Sequence, residues 1–202
     1  MYFIKAQENS NKVWQYIITI ISVGFTYLVV GVIPLGIALA VKMKGNSGAD
    51  FQEFMDSYNT EALGIDQNIG LMLLLFPAVL GFFVLLLLMN KLHKKRIGDI
   101  ASANGKIRWP RLFTGAIVWL ILLIAVETLF YFIDPANYEY TFIPAKFLPL
   151  LLISLLIIPI QAWFEELFFR SYLLAGIGLL FRLRLVALLI TSVAFGILHF
   201  SN

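Results

Sequence analysis

One uninterrupted apolar run restricts the fold of this chain more than any other feature. Residues 71–89 read LMLLLFPAVLGFFVLLLLM, with no charged side chain among them. A helix needs about 20 mainly apolar residues to cross roughly 30 Å of hydrocarbon, and a lipid-exposed backbone has to satisfy its own hydrogen bonds. Five such stretches are present, at 13–41, 69–89, 112–133, 147–181 and from 185 onward. The sequence therefore predicts an all-α polytopic transmembrane bundle of about five spans, the first of them kinked at Pro34.

The composition excludes an ordinary soluble domain. Hydrophobic residues make up 60% of the chain and charged residues 13%, whereas a soluble domain carries about 25% charged residues. The net charge is +3, but the cations lie in loops, so they bear on membrane orientation and no nucleic-acid partner is expected. The first apolar stretch is too long for a cleavable signal peptide, and we expect it to be retained.

The loop cations predict the orientation. Residues 91–111 hold seven Lys and Arg side chains, and the positive-inside rule places such a loop in the cytoplasm. Alternating spans then leave eleven cations inside and three outside. We therefore expect a multi-pass protein of the cell membrane, with the N-terminus and the 91–111 loop cytoplasmic and the 42–68 and 134–146 loops external. Binding of anionic lipid is an alternative role for the 91–111 cluster, although topology alone accounts for its charge.

The acidic 42–68 loop contains an amphipathic pattern. Phe51, Phe54, Met55 and Tyr58 recur at i, i+3, i+4 and i+7, which predicts a short helix with one apolar face. A helix lying in the outer membrane interface is favoured over a protein-binding segment.

Ionisable side chains inside predicted spans are costly and are therefore candidates for function. This chain has five, which are Glu127, Glu165, Glu166, Arg170 and His199. Glu166 and Arg170 are four residues apart, so they face each other on a helix and are expected to form a buried pair. Glu165 is rotated about 100° from Glu166 and is available for another task. Glu127 lies near the end of its span, where contact with water or a nearby arginine is favoured over a functional role.

Glu165 and His199 are expected to lie at the same depth. The turn between their helices is centred near residue 182, which places both residues 17 positions, or about 25 Å of helix, from it. If Pro159 does not change the register of the helix that carries Glu165, this carboxylate, acting as general base, would face the imidazole of His199, which positions water. In the alternative interpretation both are structural, with the histidine hydrogen-bonded across helices and the charged cluster locking two helices together.

Two motifs made by these residues resemble a known family. Glu165-Glu166-x-x-x-Arg170 followed by Phe195-x-x-x-His199 is similar to the first two motifs of the CAAX protease and bacteriocin-processing family. These intramembrane endopeptidases, also called the abortive-infection family, include the CAAX prenyl endopeptidase.

The resemblance covers about residues 147–202. It implies a division into an N-terminal region of three spans, residues 1–146, and the N-terminal part of a family domain, residues 147–202.

The resemblance also implies a role for each motif residue. Glu165 looks like the water-activating glutamate, and His199 like its partner at the hydrolytic water. Glu166 and Arg170 look like the supporting pair, and Phe195 like a packing residue. No cofactor is expected, because one histidine and no cysteine in this part of the chain do not complete a zinc site, although the family was long called metalloproteases.

The sequence departs from the family after the second motif. The family carries a further histidine, and an Asn or Asp four residues later, which serve as the oxyanion hole. This sequence stops three residues after His199, and its other histidine, His93, falls in the basic 91–111 loop. Loss of a single oxyanion donor costs about 10²–10³ in rate. We therefore expect either a fragment of a longer chain or a truncated and inactive member.

The leading functional interpretation is an intramembrane endopeptidase that hydrolyses a peptide bond near the membrane surface. Its expected partners are the bilayer and a peptide or membrane-protein substrate. The alternative is a non-catalytic membrane scaffold or bacteriocin-immunity-type protein of the same fold. A transporter is disfavoured, because the sequence lacks paired short broken helices in matching halves.

Overall fold

The computed structural model describes residues 12–42, 48–101 and 105–200, without the side chains of residues 100, 101 and 198. All regular elements within these ranges are helical. The helices long and apolar enough to cross a membrane are Val13–Lys42, Gln67–His93, Trp109–Ile133 and Pro144–Phe181. The predicted all-α, multi-pass membrane protein is thereby confirmed. The fifth apolar stretch also forms a helix, Arg184–Leu198, but at 15 residues it is shorter than a typical span.

The first span is interrupted near its middle. Helix α1, Val13–Phe25, passes into a π-helical turn at Thr26–Val30, and helix α2 begins at Ile33 and ends at Lys42. The interruption lies directly before Pro34, which lacks an N–H and whose ring clashes with the carbonyl four residues earlier in an α-helix. The structure therefore agrees with the local break predicted there.

The helix predicted in the 42–68 loop is present as α3, Gly48–Ser57, but Tyr58 of the predicted apolar face lies beyond its end and Met55 is exposed. Its Phe54 is buried together with Leu63 and Ile65, and Leu35 and Leu39 of α2 pack against this group. The helix therefore covers the end of the first span.

Helix α4, Gln67–His93, is the central helix of the bundle. The side chain of Asp66 caps its start by accepting hydrogen bonds from the backbone N–H groups of Asn68 and Ile69. At its other end the structure corrects the expectation for His93, which is the last residue of the helix rather than a loop residue. His93 is buried because Tyr16 and Tyr172 pack against its ring, and its Nε2 lies 2.9 Å from the hydroxyl of Tyr172.

A short helix α5, Ile97–Ala101, leads to helix α6, Trp109–Ile133. Every residue of α6 is exposed in the described structure. Because its side chains are apolar on all sides, this exposure is the arrangement expected of a helix surrounded by lipid.

The fourth apolar stretch is one continuous helical rod with an irregular middle. Helix α7, Pro144–Glu165, passes into a π-helical segment, Glu166–Leu173, and then into α8, Leu174–Phe181. Pro159 lies inside α7 without ending it. The irregularity follows Glu165 instead, at a position where the sequence predicts a regular α-helix.

The chain then reverses at Arg182, which adopts a left-handed conformation, and helix α9, Arg184–Leu198, returns beside α8 and the π segment. Helix α7 packs along α4, and the two share a core with α1. The central side chains of this core are Tyr16, Val23, Phe82, Leu85, Phe164 and Tyr172. The residues before 144 therefore supply the surface on which the helix carrying Glu165 is held.

Candidate active site

Glu165 and His199 meet at the open end of the α8–α9 hairpin. Glu165 is the last residue of α7, and His199 follows the last residue of α9. The Nε2 atom of His199 lies 3.5 Å from Oε2 of Glu165. The spacing about residue 182 predicts this proximity, and the structure shows it. The separation leaves no room for a water between the two atoms, so a water that both groups contact has to lie beside the pair.

Each member of the pair has a second contact that fixes its orientation. Nε2 of Gln161 donates a hydrogen bond of 3.1 Å to Oε1 of Glu165. Nδ1 of His199 lies 2.9 Å from the backbone carbonyl oxygen of Phe195. A carbonyl oxygen only accepts, so Nδ1 carries a proton. With the proton on Nδ1, a neutral imidazole presents a lone pair at Nε2. The contact of Nε2 with Glu165 is therefore attractive when either Nε2 or the carboxyl group carries a further proton.

Phe195 packs directly on the histidine. Its ring stacks on the imidazole of His199 with centroids 4.2 Å apart, and its other neighbours are Phe169, at 5.5 Å, and the guanidinium of Arg170, at 5.9 Å from the ring centroid. Phe195 therefore separates the histidine from the π segment and limits the rotation of its ring.

Glu166 and Arg170 form the predicted ion pair, with Nη1 of Arg170 3.2 Å from Oε1 of Glu166. The prediction that this pair is buried is wrong, because the arginine side chain is 68% exposed and that of the glutamate 50% exposed. The core-facing side of the rod is occupied by Phe164 and Tyr172. Glu166 and Arg170 therefore lie on its outer side.

Glu127 has a local partner outside the site. Its Oε2 accepts a hydrogen bond of 2.9 Å from the hydroxyl of Tyr138. This hydrogen bond raises the pKa of the Tyr138 phenol, because it favours the protonated form. Tyr138 thus satisfies the carboxylate of Glu127 at the end of its span. In the described structure Glu127 makes no contact with the Glu165–His199 pair.

Two side chains near Glu165 are absent from the predicted site. Gln161 is four residues before Glu165 and so shares its helix face, a spacing that was available in the sequence. Tyr27, from the first span, stacks on Phe164 with centroids 5.7 Å apart. No local pattern in the sequence predicts the contact between Tyr27 and Phe164, since these residues are more than a hundred positions apart.

The donor atoms at the site do not form a zinc site. Across the described ranges, no three His, Cys, Asp or Glu side chains come together in an arrangement suited to a metal ion. Glu165 and His199 supply two ligands, and Glu166 is engaged with Arg170. Zinc in a catalytic site takes three protein ligands, so the described residues do not fit it.

Comparison with known proteins supports the part of the chain that holds this site. Residues 144–202 match the Rce1-like family, described as type II CAAX prenyl endopeptidases. The chain is 32% identical over 209 residues to the uncharacterized protein YyaK of Bacillus subtilis (strain 168), in an alignment covering 99% of this chain and 65% of YyaK. The chain thus spans less than two thirds of the length of this relative. No solved structure matches this chain. The resemblance found in the two motifs is therefore confirmed over residues 144–202, which are similar to the Rce1-like CAAX prenyl endopeptidase family.

Proposed function

We propose that this chain is part of an intramembrane endopeptidase that uses Glu165 and His199 to activate a water molecule. The observation that carries the proposal is the 3.5 Å contact between these two side chains, within the segment that matches the Rce1-like family. The proposed substrate is a peptide or membrane protein whose scissile bond lies near the membrane surface.

In the proposed reaction the Glu165 carboxylate takes a proton from water as the water oxygen adds to the scissile carbonyl carbon. The proton is then delivered to the leaving nitrogen as the carbon–nitrogen bond breaks, so the carboxylate is regenerated. His199, whose Nε2 faces Oε2 of Glu165, orients the carboxylate and lies beside the proposed position of the water. Gln161 and the carbonyl of Phe195 are positioning groups, since each contacts one member of the pair.

The helices outside the Glu165–His199 pair support the proposed site. Residues 147–202 form the start of the catalytic domain, and within residues 1–146 the helices α1 and α4 hold it through a shared core. The 91–111 loop and the N-terminus are proposed to face the cytoplasm, because that loop carries seven cations.

Substitution in the full-length natural protein tests the catalytic assignment. In the family the oxyanion donors follow the second motif, so the assay uses the whole protein in lipid nanodiscs with a prenylated CAAX peptide. We expect Glu165→Gln and His199→Gln each to lower the cleavage rate by about 10²–10⁴, the usual contribution of general acid–base catalysis.

Glu127→Gln is the matched control, since it removes an intramembrane carboxylate whose partner is Tyr138. It should retain the parent rate. Cleavage that survives in both site variants, with thermal midpoints unchanged, would contradict the assignment and favour a non-catalytic scaffold.

A further inference from the structure

A cleft of about 420 Å³ lies where the start of α6 meets the π segment. Much of its wall is apolar, formed by Ile97, Leu112, Trp163 and Leu167. Two cationic side chains, Arg108 and Arg111, also line it. This volume lies within the roughly 300–1,000 Å³ of small-molecule sites.

The cleft carries positive charge that the surrounding side chains leave uncompensated. Arg108 and Arg111 have no carboxylate within ion-pair distance in the part of the chain that the structure describes. Glu166 is the acidic side chain that lines the cleft, and it is already paired with Arg170. A ligand that complements the cleft is therefore anionic and partly apolar.

The position of the cleft relative to the membrane surface indicates which anionic ligands can reach it. Arg108 directly precedes Trp109, the first residue of a membrane span, and the ring of Trp109 lies 6.2 Å from that of Trp163. Tryptophan is typical of the level where lipid headgroups meet the hydrocarbon. The arginines are thus placed at phosphate level, and the apolar wall beside them is placed where an acyl chain begins.

We propose that this cleft binds one anionic phospholipid, with its phosphate at Arg108 and Arg111 and its first acyl methylenes along Leu112 and Trp163. The topology of the chain accounts for a basic loop, but it does not account for two arginines set together in a cleft with an apolar wall. The proposal does not depend on the proposed peptidase activity.

Quenching of tryptophan fluorescence by brominated lipid tests this site. Replacing Trp14, Trp119 and any tryptophan outside residues 1–202 by Phe leaves Trp109 and Trp163 as the fluorophores beside the cleft. The protein is reconstituted in phosphatidylcholine containing a small fraction of either dibromo-phosphatidylglycerol or dibromo-phosphatidylcholine. We expect the anionic lipid to quench with an apparent affinity at least about 5-fold higher, the size of the effect of one cation near a membrane surface.

Two variants separate a formed site from diffuse charge. Arg108→Gln/Arg111→Gln should abolish the preference for the anionic lipid. Lys91→Gln/Lys106→Gln removes the same charge from the same loop but not from the cleft lining, and it should keep most of the preference.

A third variant, Ser171→Phe, fills the cleft while it leaves both arginines, and it should also lower the preference. Equal quenching by the two lipids would overturn the proposal, as would equal losses in the arginine and lysine variants. Displacement of the brominated anionic lipid by a soluble peptide with a free carboxyl terminus would overturn it in favour of a peptide site.

Discussion

Glu165 has both of its carboxylate oxygens in contact with other side chains. One oxygen accepts from Gln161, and the other faces His199. The neighbouring Glu166 contacts neither of these groups in the described structure and pairs with Arg170 on the outer side of the rod. Two adjacent glutamates therefore lie in different surroundings, which is the physical basis for giving them different roles.

Gln161→Leu should slow cleavage without abolishing it. The substitution removes one hydrogen bond to Glu165, and a typical hydrogen bond contributes about 0.5–1.5 kcal/mol, which corresponds to about a 2- to 12-fold loss of rate. The measurement is kcat and KM determined separately in the full-length protein, because a loss of positioning at the general base lowers kcat while KM stays near the parent value. Gln161→Asn, with a shorter amide side chain, is the control for polarity alone. A kcat and a KM identical to those of the parent would remove Gln161 from the site.

Arg170→Gln should have a small effect on stability. The arginine side chain of this pair is more than half exposed, and an ion pair that meets water at the membrane surface contributes about 0–1 kcal/mol. Thermal unfolding in one detergent measures the effect against Phe164→Ala, which deletes a buried ring and should cost about 3–5 kcal/mol. Equal losses in the two variants would show that the Glu166–Arg170 pair stabilises the fold as a buried pair does.

At the scale of helices, close approach between spans depends on glycine at particular positions. A Cβ atom added at Gly31 would lie 2.5 Å from Cα of Pro77 in α4, and one added at Gly81 would lie 2.8 Å from the ring of Phe164. Lipid tails are as apolar as the helices, so no hydrophobic driving force brings membrane helices together and their association depends on close van der Waals packing. Small residues such as these glycines allow that packing. The interrupted first span therefore approaches α4 at Gly31, where any side chain would clash with Pro77.

Gly31→Ala should destabilise the bundle by about 1–3 kcal/mol, the usual cost of overpacking. Its Cβ would clash with backbone that has no freedom to rotate away. Gly24→Ala is the matched control in the same span, because a Cβ there meets nothing within 4 Å. Thermal unfolding should separate the two, with Gly24→Ala neutral or slightly stabilising. A neutral Gly31→Ala would mean that the two spans do not approach this closely.

At the scale of the whole molecule, the proposed orientation places residues 57 and 106 on opposite sides of the membrane. Residues 1–202 contain no cysteine, so Ser57→Cys and Lys106→Cys give single labelling sites once any cysteine outside these residues is replaced by Ser. In intact cells an impermeant thiol reagent should label only the first of these variants, and disruption of the membrane should expose the second. Labelling of Lys106→Cys alone would invert the topology.

The sequence was most informative where physical rules act over long stretches. Span lengths follow from runs of apolar residues, and the approach of Glu165 to His199 follows from their equal distances from Arg182. It was least informative where tertiary contacts decide. The burial of His93 depends on Tyr172, the exposure of Arg170 depends on which side of the rod Phe164 occupies, and the π segment is not encoded by any residue that by itself breaks an α-helix.

The π segment has a consequence for aligning this chain with relatives. A π-helical turn holds more residues than an α-helical turn, so loss of one residue at Ser171 is absorbed by a return to α-helical winding, and both motifs keep their relative orientation. A gap of one residue between Arg184 and Leu198 lies within regular helix α9, where it rotates the histidine by about 100° away from the glutamate. Insertions and deletions in homologous sequences should therefore be tolerated at the first position and rare at the second.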